Sequence, residues 1–228
     1  MNEYKVTVPF GPLIYKADIS GDFQNFLIDG LSSSRMGEDA RRHLAGNIEG
    51  QRRAYTYDED KFVNFIDPHI VNYLVEKHNR HNVIKDTCSK PTMEWNHEYS
   101  KIAYDLDRGP WINFQNSNEF NPMHNHAGII SAVIFIDIPE EISKERKEST
   151  FNAKVNGCLE FVYMNQHIIL NPKSATLLLF PAYLWHTVYP YHSDVERITM
   201  SFNVHNLTID DYPVPGNDDI IFYHNYYS

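Results

Sequence analysis

Three stretches in the second half of this 228-residue chain carry side chains whose types and spacing suit metal and anion chemistry. The first, Asn121-Pro122-Met123-His124-Asn125-His126, holds two histidines two residues apart. Residues so spaced on an extended strand project from one face, so both imidazoles can turn toward the same ion. With twelve histidines in the chain, such a pair is a weak signal alone, and two core or surface histidines would explain it equally well. In the second, Leu177-Leu178-Leu179-Phe180-Pro181-Ala182-Tyr183-Leu184-Trp185-His186, an apolar run ends in a proline turn and delivers a histidine at its lip. The third is Arg197-Ile198-Thr199-Met200-Ser201-Phe202-Asn203-Val204, whose alternation puts Arg197, Thr199, Ser201 and Asn203 on one face. If both faces are buried, as in a two-sheet barrel, Arg197 needs an anionic partner, because desolvating the charge unpaired costs several kcal/mol. A dicarboxylate bidentate to the guanidinium would serve, with the hydroxyl of Thr199 or Ser201 as a second donor.

A His-x-His pair, a distant His, and then an Arg with a hydroxyl companion are together much rarer than any one part. These stretches, with Trp111-Ile112-Asn113, Ser131-Ala132-Val133-Ile134-Phe135 and the upstream Leu44-Ala45-Gly46-Asn47-Ile48, resemble the 2-oxoglutarate/iron(II) oxygenases of bacteria and marine phages over residues 40–205. The resemblance implies a mainly β fold with flanking helices, built on a double-stranded β-helix (jelly-roll, cupin-like) barrel. It also implies iron(II) as the metal, and 2-oxoglutarate and O2 as co-substrates. The implied reaction hydroxylates a prime substrate and releases succinate and CO2.

By position in that pattern, His124 matches the first metal ligand and His186 the distant one. His126 stands where the wider superfamily carries a carboxylate, the second residue of its facial triad. Arg197 matches the residue that pairs with the far carboxylate of 2-oxoglutarate, Thr199 or Ser201 the accompanying hydroxyl, and Asn113 a further contact. The motif admits two registers. In one, His124, His126 and His186 are the ligands. In the other, His126 leads, and the acid position falls on Gly128, leaving room for a halide. Two rival readings stand beside these: a three-His cupin-type oxygenase or isomerase that does not use 2-oxoglutarate, and a non-catalytic β-sandwich binding module.

The elements that must position these residues follow from hydrophobic spacing. The first hundred residues read as helices and loops. One helix carries Phe23, Phe26, Leu27 and Leu31, with Asp22 as cap and Gly30 near its end; another runs over 59–78, interrupted or split at Pro68. Leu44–Ile48 reads as a loop. After Gly109-Pro110 the texture changes to strand-like runs at 111–115, 129–138, 159–164, 167–170, 175–180 and 197–204, an antiparallel sandwich or barrel. The charged segment 139–156 reads as a solvated insertion acting as a mobile lid. Glu160 offers either an inward carboxylate near the metal or a solvent-facing position on its strand, and the second is the expected one. The expected organisation is a single domain over 1–228: a mainly helical elaboration (1–108), the β-helix core (109–206) and a C-terminal extension (207–228). The tyrosine-rich C-terminus suits either packing across the barrel or a homodimer interface, and nothing in the sequence chooses.

Net charge is −10, which argues against nonspecific binding to nucleic acid or an anionic membrane. Arg35, Arg41, Arg42, Arg52 and Arg53 cluster in sequence as solvated charges. The two cysteines, Cys88 and Cys158, lie outside metal-binding spacing and suggest a reducing compartment. No segment reaches eighteen apolar residues, and the expected location is the cytoplasm, that of a bacterial host if the chain is phage-encoded.

Overall fold

The computed structural model describes residues 4–7, 11–54, 57–85, 101–106, 108–150 and 152–214. In chain order the elements are β1 (Tyr4–Thr7), β2 (Ile14–Asp18), α1 (Gly21–Asp29), α2 (Leu31–Ser34), β3 (Gly50–Arg53), α3 (Glu59–Lys85), β4 (Ile102–Leu106), β5 (Trp111–Gln115), β6 (Asn121–His124), β7 (Ile130–Asp137), α4 (Glu140–Glu148), β8 (Leu159–Tyr163), β9 (Gln166–Leu170), β10 (Thr176–Pro181), β11 (Trp185–Val188), β12 (Arg197–Ile209) and β13 (Tyr212–Pro213).

Two antiparallel sheets face each other as a jelly-roll double-stranded β-helix. The major sheet runs β1-β2-β10-β7-β12-β5-β3, with β4 and β13 also paired to β12; the minor sheet runs β6-β11-β8-β9. Between them lies an apolar layer of Ile14, Phe135, Leu159, Phe161, Leu178, Phe180, Leu184 and Val188. The other face of the major sheet packs on α1 and α3 through Phe23, Leu27, Phe62, Ile66, Ile70, Ile112, Met200 and Phe202. Strands β5, β7, β10 and β12 are therefore covered on both faces. This accounts for their nearly continuous apolar runs, and for why a charge at Arg197 cannot reach water.

The N-terminal region departs from the expected helices and loops. β1, β2 and β3 all join the major sheet, and β4 pairs with β12. These strands are only four or five residues long, so period-two alternation had too few positions to register. The cap of α1 is Ser20, whose hydroxyl accepts from the Phe23 amide at 3.2 Å, rather than Asp22; Gly30 closes the helix as expected. α3 runs through Pro68 without splitting, its apolar stripe held on the sheet. Packing outweighs one lost backbone hydrogen bond there. No described helix is long and apolar enough to cross a membrane.

The segment expected as a mobile lid is docked. Ile142 and Arg146 of α4 are buried. The Glu145 carboxylate accepts from the His192 and Ser193 amides, the Ser193 hydroxyl and the Asn156 carboxamide at 2.5–3.0 Å. Partial burial pushes that carboxyl up, but these hydrogen bonds prevail and bring it down to about 2. The run of charges along α4 concealed one anchored face.

Candidate active site

The minor sheet delivers two of the imidazoles. β6 and β11 are antiparallel neighbours, and their register puts His124 directly opposite His186. His126 follows just past β6, its amide bonded to the Ala182 carbonyl at 2.9 Å, so the chain after β6 is pinned to the turn that precedes β11. The three rings meet with centroids 4.3–5.2 Å apart, and one nitrogen from each lies within 4.8 Å of the others.

Backbone carbonyls set two of the ring tautomers. His124 Nδ1 lies 2.7 Å from the Pro122 carbonyl and His186 Nδ1 2.9 Å from that of Leu184. A carbonyl only accepts, so each Nδ1 carries the proton and each Nε2 keeps a lone pair for a ligand bond. Burial pushes all three imidazoles down. His126 falls to about 3, aided by His124 and His205; His186 falls well below its usual range, with His124 and His126 adding to the effect. At neutral pH all three are uncharged donors.

The major sheet supplies the other wall. On β12, Arg197, Thr199 and Ser201 face inward, and β5 places Gln115, Asn113 and Trp111 beside them in register. Asn113 Nδ2 donates to Thr199 Oγ1 at 3.2 Å. All of these line one cavity with His124, His126 and His186, an empty space of about 630 Å³ that includes its opening to solvent. The structure thus brings together every residue singled out from the sequence: Asn113, His124, His126, His186, Arg197, Thr199 and Ser201.

Arg197 is 2% exposed. Its Nη1 donates to the Gly157 carbonyl at 2.8 Å, its guanidinium lies 5.6 Å from the Phe135 ring centre, and its Nε is buried with no partner. Burial pulls its pKa to about 10, with Tyr191 and Cys158 holding it up and Arg146 pushing it further down, so it stays charged. No Asp or Glu lines the cavity among the described residues. A full positive charge is therefore buried in this wall, and an anion bound beside it would offset a desolvation cost of roughly several kcal/mol.

Glu160 is not the solvent-facing residue expected. It is 6% exposed and accepts from the Tyr189 hydroxyl at 2.6 Å, with His167 Nδ1 at 2.8 Å. The pairing of His186 with Phe161 and of Thr187 with Glu160 puts it on the face of β8 turned away from the imidazoles. Among the other histidines expected to be structural or surface residues, His69 is buried against the Tyr15 hydroxyl, while His97 and His224 lie outside the described residues. So does Cys88, whereas Cys158 is free and buried. The arginine cluster is only partly solvated: Arg35 pairs with Glu196, Arg41 and Arg52 with Asp39, and Arg53 is buried.

Several lining residues had no assigned role in the sequence reading: Gln51, Gln115, Asn121, and the strap Leu44–Gly46 with Ile48. Asn47 pins the strap, its amide donating to the Phe120 carbonyl at 2.9 Å. A Cβ at Gly46 would press on Asn121 Oδ1 and lie 2.6 Å from Gln51 Nε2, so a larger residue there must push these two side-chain ends aside. A glycine inside an otherwise unremarkable loop was the available signal.

Residues 109–203 match a family model described as "Putative 2OG-Fe(II) oxygenase". Among solved structures, the chain is similar to a 2OG-Fe(II) oxygenase family oxidoreductase from Burkholderia pseudomallei (16% identity, 48% of each chain covered, TM-score 0.36). A prolyl-4-hydroxylase from Pseudomonas putida matches at 15% identity over 41% of this chain and 46% of that one, with a TM-score of 0.30. A prolyl hydroxylase from Trichoplax adhaerens, in complex with a hypoxia inducible factor oxygen degradation domain peptide fragment, matches at 10% identity over 90% and 84%, with a TM-score of 0.45. The match spans about half the length of the first two. No curated protein matches the chain.

Proposed function

We propose that this chain, whose residues 109–203 carry the 2OG-Fe(II) oxygenase family segment, is an iron(II)- and 2-oxoglutarate-dependent dioxygenase. The observation that carries the reading is the buried Arg197, its Nε unpartnered, sharing one cavity with three neutral imidazoles.

The residues present fit both groups. His124 and His186 offer Nε2 lone pairs held in place by their carbonyl partners, and His126 completes a three-nitrogen set. Bound together, iron(II) and 2-oxoglutarate supply oxidative decarboxylation, consuming O2 and yielding succinate, CO2 and one oxygen atom for a C–H bond of the prime substrate. Arg197 binds the distal carboxylate through its unused N–H groups, and the Thr199 hydroxyl donates a further hydrogen bond, with Ser201 lining the same wall. Asn113 orients Thr199. Phe135, Leu159, Phe180 and Val188 keep water out around these contacts, which strengthens each of them. Because no Asp or Glu lines the cavity among the described residues, the co-substrate dianion is the charge that offsets both metal and Arg197. Metal and co-substrate binding are therefore expected to reinforce each other.

The test is anaerobic loading with iron(II), then exposure to O2 with 2-oxoglutarate and measurement of succinate. Succinate formed in stoichiometric relation to 2-oxoglutarate lost supports the reading. A loaded protein that neither binds nor consumes 2-oxoglutarate would instead favour the three-His cupin-type reading, which the cluster of three imidazoles keeps open.

A further inference from the structure

β3 places Gln51 directly beside Asn113 on β5, which lies directly beside Thr199 on β12. Their side chains form a chain of hydrogen bonds across the inner face of the major sheet. Gln51 Nε2 donates to Asn113 Oδ1 at 3.0 Å, and Asn113 Nδ2 donates to Thr199 Oγ1 at 3.2 Å. All three residues are buried, Gln51 at 1% exposure and the other two at 5%.

Each link constrains the next. A hydroxyl has one hydrogen to give, and Thr199 Oγ1 can spend it on Asn113 or on a carboxylate in the cavity. If Asn113 presents its NH2 to Thr199, the hydroxyl must accept there, and its hydrogen is left for the cavity. Asn113 holds that orientation only while something donates to its Oδ1, and Gln51 Nε2 is the donor the structure provides. Rotating Asn113 would turn two amide groups donor to donor. Gly46 lies against the Gln51 carboxamide, where a Cβ would sit 2.6 Å from Gln51 Nε2.

We infer that Gln51 is a positioning residue: through Asn113 it sets the direction of the Thr199 hydroxyl, so that the hydrogen points at the co-substrate carboxylate. The inference rests on the proposed 2-oxoglutarate site. Gln51 lies on the edge strand of the sheet, two strands from β12, and acts without needing to touch the co-substrate.

The experiment is calorimetric titration of 2-oxoglutarate into the anaerobic iron(II)-loaded protein, with Gln51→Leu, Thr199→Val and the double variant. Gln51→Leu is expected to weaken binding about tenfold, the worth of one hydrogen bond to a charged group. Thr199→Val is expected to weaken it by a similar factor. The double variant should be no weaker than Thr199→Val alone, because both changes act through one hydroxyl. Gly46→Ala, which pushes a methyl group against Gln51 and Asn121, should reproduce the Gln51→Leu loss if that variant folds poorly. Unchanged affinity in folded Gln51→Leu, or losses that multiply in the double variant, would overturn the relay. Wild-type protein that does not bind 2-oxoglutarate at all would overturn the functional reading itself, so the two failures are separable.

Discussion

Replacing Arg197 tests the co-substrate site in two directions at once. Its guanidinium is fully buried against the Gly157 carbonyl and the Phe135 ring, with Tyr191 and Cys158 adding a favourable field but no Asp or Glu lining the cavity among the described residues. Arg197→Ala removes the desolvation penalty of that charge but also the packing of its stem. The terms oppose each other, and the expected change in unfolding temperature without ligand is small. With ligand the balance differs. Truncating one member of a buried charge pair costs about 2–5 kcal/mol, or roughly 30-fold to several thousand-fold in the dissociation constant of 2-oxoglutarate. Arg197→Lys keeps the charge but not the planar two-point contact, and should recover part of the affinity. The assay is 2-oxoglutarate titration of the iron(II)-loaded protein, together with thermal unfolding with and without ligand. Wild type should gain unfolding temperature on ligand addition, and Arg197→Ala should gain none. Unchanged 2-oxoglutarate affinity in a folded Arg197→Ala protein would refute the assignment. A large loss of ligand-free stability would refute the claim that the desolvation penalty offsets the lost packing.

His186→Ala should lose iron and succinate production together while retaining wild-type circular dichroism, because Nε2 is the atom left free by its Leu184 contact. His124→Ala should behave alike; retained iron, with affinity rising on added chloride, would restore the register that starts at His126. Glu145→Ala removes the acceptor that pins α4 to the 192–193 turn and to Asn156, and should cost about 1–3 kcal/mol by urea denaturation and expose 149–157 to protease. His69 is held below its ordinary pKa by burial beside Tyr15, so the folded state resists a proton that the unfolded chain accepts near pH 6.5. Stability should therefore fall as pH drops below that value, and His69→Gln should flatten the slope of urea midpoints measured between pH 7.5 and 5.

The chemistry-bearing residues were legible in the sequence because each sits in a pattern that elementary geometry constrains. Two histidines at strand spacing share a face, and an arginine alternating with hydroxyls between apolar residues must face inward if the strand is covered on both sides. Runs of apolar β formers gave β5, β7, β8, β9 and β10 nearly to the residue, and the start of β12, which continues to Ile209 past the expected end at 204. Short polar strands did not announce themselves. β3 is Gly-Gln-Arg-Arg and β11 Trp-His-Thr-Val, and each is a strand because a neighbour offers an edge to pair with. That is a non-local cause, which no window of sequence contains. The same reason hid Gln51: its role depends on lying beside Asn113, sixty-two residues away, and Asn113 beside Thr199 a further eighty-six along. Charge patterning misjudged α4 because a single anchored face suffices to dock a polar segment, and the burial of Glu160 was hidden because only the folded chain brings Tyr189 and His167 to it. Residue type and spacing determined which atoms could act on a metal and a dicarboxylate; sheet pairing decided that they meet in one cavity, and which neighbours aim them.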